Sequence, residues 1–131
     1  MVRPLVVALL TATLLMGSVS VASAYASADF DKGMAALTAG NVTEAVKWWR
    51  KAAGQRHATA QYNLGVMYGK GLGVMQDYIT AHMWWDIAAS KGNKDAMKNR
   101  DIIAKRMSAT GVEEAQKRKH LCLKSNYKRC D

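Results

Sequence analysis

The chain has 131 residues and a formal charge of +9, a length suited to one small domain with a modest core. Its one proline is Pro4, so the rest is free to be helical throughout. Residues 91–131 hold twelve Lys or Arg against five Asp or Glu, a local +7, with no interleaved aromatic platform on which nucleic-acid bases could stack.

Met1 to Arg3 is a short basic start, and Leu5 to Met16 is apolar except for Thr11 and Thr13. Ala22-Ser23-Ala24 and Ala24-Tyr25-Ala26 both fit an A-x-A cleavage site, so residues 1–24 read as a secretory signal, with cleavage at 26 as the alternative. The apolar core is shorter than the ~20 residues of a membrane span. No cysteine sits there to carry a lipid anchor, and no later segment is apolar enough to span. The expectation is an exported protein with no membrane span after cleavage, which makes nucleic acid an improbable partner.

Asp29 to Ala39 reads as a helix closed by Gly40. Asn41, with Glu44 three residues on, can cap a second helix from Val42 to Gly54. On its wheel Ala45, Trp48, Trp49, Ala52 and Ala53 share one side, opposite Lys47, Arg50 and Lys51. A third helix spans Thr59 to Tyr68, followed by the glycine loop Gly69 to Gly73. Asp77 caps a fourth from Tyr78 to Ser90, and Gly92-Asn93 ends it.

Ala45, Trp48, Trp49, Ala52, Ala53 and Ala60 recur as Ala81, Trp84, Trp85, Ala88, Ala89 and Ala96, each offset by 36 residues. Such a period signals stacked helical hairpins. Trp48, Trp49, Trp84 and Trp85 are the expected core. Phe30 and Gly33 align instead with Tyr62 and Gly65 at an offset of 32, so the second unit carries four extra residues in its glycine loop. Met83 and Ile87 replace Lys47 and Lys51 on an outward stripe. A C-terminal cap, a partner or a second copy could cover them.

Asn93 to Met107 reads as the first helix of a third unit. Thr110-Gly111-Val112-Glu113 reads as a capping box that opens a polar last helix to about Leu123. A helical array needs such a polar terminal element. Cys122 and Cys130, in an exported chain, read as a disulfide. On one continuous helix their Cα atoms would lie ~12 Å apart, so a bridge requires the helix to end between them, near Ser125-Asn126. Metal binding with His120 is the rival reading, although two thiols and one imidazole make a poor site.

Ala60 to Tyr68, Gly71-Leu72-Gly73-Val74, Asp77-Tyr78, Ala81, Trp84, Ala88-Ala89 and Gly92-Asn93 together resemble a Sel1-like repeat. This family is related to tetratricopeptide repeats and has a longer loop inside the hairpin. Residues 58–92 resemble it closely. Residues 29–57 resemble the shorter tetratricopeptide form, with Arg56 where glycine is usual, and residues 93–131 complete a third hairpin or cap. The resemblance implies an all-α fold: a short α-solenoid of about three antiparallel hairpins with a C-terminal capping helix. It also implies protein–protein interaction, often in bacterial envelopes, hence a periplasmic or secreted location. The Cys-x7-Cys spacing resembles bridged pairs in cysteine-rich members.

By the same resemblance Phe30, Met34, Tyr62, Val66 and Ile102 line a concave groove for a protein or peptide partner; the alternative is that part of this stripe packs between neighbouring first helices. Lys117-Arg118-Lys119 is either a solvated face or a basic surface for an anionic envelope polymer or lipid. His57, His82 and His120 lack partners at ligand or triad spacing, and Gly69 to Gly73 lacks a phosphate-loop ending. No catalysis, cofactor or metal is expected. The alternative of an enzyme acting on cell-wall ligands, suggested for some cysteine-rich relatives, lacks a credible nucleophile here.

Overall fold

A computed structural model describes residues 20–131. The leader expected at residues 1–24 lies outside the described residues up to position 19. Six helices follow in order: α1 Val21–Thr38, α2 Val42–Gly54, α3 Ala58–Lys70, α4 Tyr78–Ser90, α5 Lys94–Ala104 and α6 Ala109–Lys124. There is no strand among the described residues. Each helix packs on the next from α1 to α5, α3 touches α5, and α6 lies on α4. The product is an all-α helical-repeat solenoid, with α1, α3 and α5 as the first helices of successive units.

Side-chain caps set the helix starts. Asn41 Oδ1 accepts from Glu44 N–H at 3.2 Å, Asp77 Oδ1 from Ile79 and Thr80 N–H, and Asn93 Oδ1 from Ala96 N–H at 2.8 Å. His57 caps α3, its Nδ1 accepting from Ala60 N–H at 3.2 Å. α6 begins earlier than the capping-box reading has it. Ser108 Oγ accepts from Gly111 N–H at 3.0 Å, which leaves Thr110 inside the first turn. α1 likewise begins at Val21 instead of Asp29. Its buried positions Ala26, Asp29 and Gly33 fall on one face, and both A-x-A matches lie in its first two turns. Asp29 ties this helix to the next, accepting from Gln55 Nε2 at 2.8 Å and lying 3.6 Å from Lys51 Nζ.

One lock repeats in both hairpins. A Cβ on Gly33 would lie 2.3 Å from Trp49 Nε1, and a Cβ on Gly65 would lie 2.3 Å from Trp85 Nε1. The first helix must therefore lack a side chain where the second lays its indole. This accounts for the two offsets in the sequence. Glycine and tryptophan keep their pairing while the loop between α3 and α4 takes up the four extra residues.

The remaining core is alanine-rich, with Ala45, Ala52, Ala53, Ala60, Ala81 and Ala88 fully buried, so helix backbones approach closely and the rings fill what is left. Trp49, Trp84 and Trp85 are buried in it. Trp48 is the correction: it is half-buried, with the Lys32 and Lys51 ammoniums 4.4 and 5.3 Å from its ring. Its counterpart Trp84 is 2 % exposed. The reason is the neighbours: α4 has α3, α5 and α6 around it, whereas α2 has α1 and α3.

The last unit caps the stack by a different route from the first two. α6 packs on α4 and not along α5 as a regular hairpin partner would. It follows the Thr80, Met83 and Ile87 stripe, and both Met83 and Ile87 are fully buried. Cys122 and Cys130 are bridged, with Cα atoms 4.4 Å apart. The helix ends between them at Lys124, and Asn126 and Tyr127 turn the chain back with φ of 55° and 64°. The returning tail reaches the junction between α2 and α3. Arg56 donates to Asn126 Oδ1, and the Arg56 and Lys91 cations lie 5.7 and 5.3 Å from the Tyr127 ring. Arg56 has φ 69°, and 36 residues on the matching position is Gly92 with φ 92°. Here an arginine occupies a glycine conformation, and its guanidinium holds the tail.

Candidate binding groove

Tyr62 and Val66 on α3 face Asn99 and Ile102 on α5 across a cleft of about 280 Å³. Trp85 of α4 and Ile103 form its base, and Gly69 and Lys70 close one end. The base is rigid. Trp85 Nε1 donates to the Tyr62 carbonyl at 3.2 Å, Gly65 lies under the indole, and a Cβ on Gly69 would stand 3.0 Å from the ring. Ile102 is 45 % exposed at the rim, an apolar side chain held in water. The Asn99 amide offers both a donor and an acceptor at the same rim.

Three of the five residues expected in a groove, Tyr62, Val66 and Ile102, thus come together. Phe30 does not join them. It is half-buried, its ring stacked on His57 with centroids 4.5 Å apart and 6.4 Å from Trp49. It is diverted because the His57 cap of α3 sits beside α1. Met34, 41 % exposed, stands on α1 outside the cleft. Sequence reasoning missed Asn99, Ile103, Lys70 and the second role of Trp85. Asn99 could have been found as the 36-residue repeat of Asn63, whereas Lys70 precedes the loop of altered length and carries no such signal.

The Lys117-Arg118-Lys119 run is not a uniform basic face. Arg118 donates to Glu114 at 3.0 Å and lies 3.9 Å from Asp77, and Lys119 Nζ donates to Asp86 at 3.0 Å. Of the three, only Lys117 is exposed, and Arg118 and Lys119 are half-buried. Ala115, Arg118, Lys119 and Cys122 share the side of α6 turned to α4. Burial pushes the Asp86 carboxyl up, but hydrogen bonds and charges from Lys119 and Arg100 outweigh it and hold it below the usual range. Beside it the buried His82 imidazole is pulled below its ordinary value, chiefly by desolvation. Half-burial lowers His57 in the same sense.

A larger cleft of about 510 Å³ opens between the start of α1 and the Gln55–His57 junction. Among the described residues no three His, Cys, Asp or Glu are grouped to hold a metal ion, and both cysteines are spent in the bridge. No described helix is long and apolar enough to cross a membrane.

Helical hairpins joined at a 36-residue period, each locked by glycine under tryptophan, define an α-solenoid of the tetratricopeptide-related class. Residues 30–57 and 58–93 both match the Sel1 repeat, so the chain carries two successive repeats of that family. A solved structure supports the same fold. It is a protective antigen of uropathogenic Escherichia coli displaying an SLR fold, with TM-score 0.71 and 32 % identity over 79 % of this chain and 24 % of that one. Chitin synthase regulatory factor 3 of Schizosaccharomyces pombe is 43 % identical over 58 residues, 44 % of this chain. The matched segment spans 6 % of that protein. Sel1 repeats generally mediate protein–protein interaction, and the fold is typically a non-catalytic scaffold.

Proposed function

We propose that this protein is an exported, non-catalytic adaptor that seats a protein or peptide partner in the cleft between α3 and α5. One observation carries this reading: Tyr62, Val66 and Ile102 converge over a preformed Trp85 base and leave apolar surface in water. Export is supported by the leader-like start and by the disulfide, which persists in oxidising compartments such as the periplasm or the exterior. The general role of Sel1 repeats supports a protein partner. The rival, an anionic envelope polymer or lipid bound on α6, has less support because Arg118 and Lys119 are paired with α4 and α6 acids.

The test is capture from envelope extract at high salt by wild type and by Ile102→Lys. Ile102 is exposed, so this change leaves the fold intact. A discrete protein retained by wild type and lost with the variant supports the adaptor. Equal retention by both removes the groove from the reading.

A further inference from the structure

The distribution of ion pairs around the cleft bears on what fills it. Three cations of the C-terminal third are neutralised within the fold: Arg100 by Asp86 and Asp101, Lys119 by Asp86, and Arg118 by Glu114 and Asp77. The local positive excess therefore lies elsewhere. Lys70, Lys98 and Lys105 are exposed and form no ion pair among the described residues. Lys98 stands four residues before Ile102, on its side of α5, and Lys105 is the C-cap residue just past the helix end, three residues after it. Lys70 lines the facing end at α3. Asp101 is turned to Arg100 at 3.0 Å, so Asp95, on the first turn of α5, is the acid left near this side.

The cleft is thus an apolar floor with the Lys70 ammonium at one end and, outside the lining on the α5 side, those of Lys98 and Lys105. Low-dielectric walls concentrate their field over the floor. The floor has room for one large apolar side chain, and the Asn99 amide can pair with an extended backbone beside it. We infer that the occupant is an acidic peptide segment: one apolar anchor against Trp85, flanked by Asp or Glu that pair with Lys70 on one side and Lys98 and Lys105 on the other. This rests on the groove reading above and adds its selectivity. A simple polyanion would meet the lysines and leave the apolar floor unused.

A random-peptide display library panned on the intact, disulfide-bonded protein tests it. Recovered peptides are then synthesised and titrated against wild type, Lys98→Glu/Lys105→Glu and Ile102→Lys. The expected consensus has acidic residues on both sides of an apolar one. Its affinity should fall on the order of tenfold or more in the charge-reversed variant and weaken with salt. Polyglutamate should compete poorly. A consensus without acids, lost in Ile102→Lys but indifferent to charge reversal, overturns acidic selection and leaves the groove standing. Equal competition by polyglutamate overturns the apolar anchor. Peptides indifferent to both variants, or no enrichment, overturn both readings. The substituted positions are exposed, so unchanged thermal melting of both variants separates lost binding from lost fold.

Discussion

The two hairpins α1–α2 and α3–α4 share a glycine–tryptophan lock and an Ala-Trp-Trp-Ala-Ala frame and end in different states. Both set an indole over a glycine, Trp49 on Gly33 and Trp85 on Gly65. Yet Trp84, Met83 and Ile87 are buried, while Trp48, Lys47 and Lys51 remain in contact with water. The difference is α6, which lies on α4 and leaves α2 uncovered. Within a repeat, identity of residue sets the lock. Between repeats, the neighbour sets the burial.

The largest test of that asymmetry is Trp84→Ala against Trp48→Ala. The first should cost ~3–5 kcal/mol and the second about 1–2 kcal/mol, read from urea unfolding. Equal losses would break the comparison. Next is the cover itself. Removing the Cys122–Cys130 bridge, which closes a span of eight residues, should cost about 2.5 kcal/mol. Hydrogen exchange should quicken in α6 and along Met83 and Ile87, with α1 and α2 unchanged. Uniform quickening would mean that the cover acts on the whole stack.

Gly33→Ala and Gly65→Ala examine what the hairpins share. Each places a methyl group against an indole and should cost about 2 kcal/mol, nearly equally. A wide gap would show that one lock is softer. The smallest effect concerns His82, whose counterpart 36 residues earlier is the buried Val46. Because the folded His82 value is depressed, the unfolded chain takes the proton first. Stability should fall as the pH drops below about 6.5, the free histidine value, and level off below the folded one. His57 adds in the same direction, while the Asp86 contribution is lost only at lower pH, below the ordinary carboxylate range. His82→Val should flatten much of the fall between pH 7 and 5 in chemical-denaturation curves. An unchanged slope would assign it to His57.

Much of this was legible in residue order. The 36-residue recurrence, the Asn41 and Asp77 caps and the helix break between the cysteines are local or periodic features, and the structure has each of them. What was not legible depends on residues far apart in the chain. Lys119 finds Asp86 33 residues away, so the basic run read as exposed. Phe30 meets His57 across a helix junction, so it left the groove. Trp48 differs from Trp84 through α6, and the apolar Met83 and Ile87 positions pointed to a cover on α4 without choosing among the cap, a partner and a second copy. The cleft was half visible: Tyr62, Val66 and Ile102 follow the repeat, whereas Lys70 ends α3 just before the loop whose length breaks it.

The tail that docks on Arg56 changes how the C-terminal end of the array unfolds. A helical-repeat stack couples each unit only to its neighbours, so its ends can melt while its middle persists. Here Asn126 and Tyr127 are held by Arg56 and Lys91, two turns that bracket the second unit. The last segment of the chain thus closes over the middle unit and joins the first junction to the second. Fraying at the C-terminus must release contacts at both turns, which ties the last unit to both ends of the middle one instead of to one neighbour only.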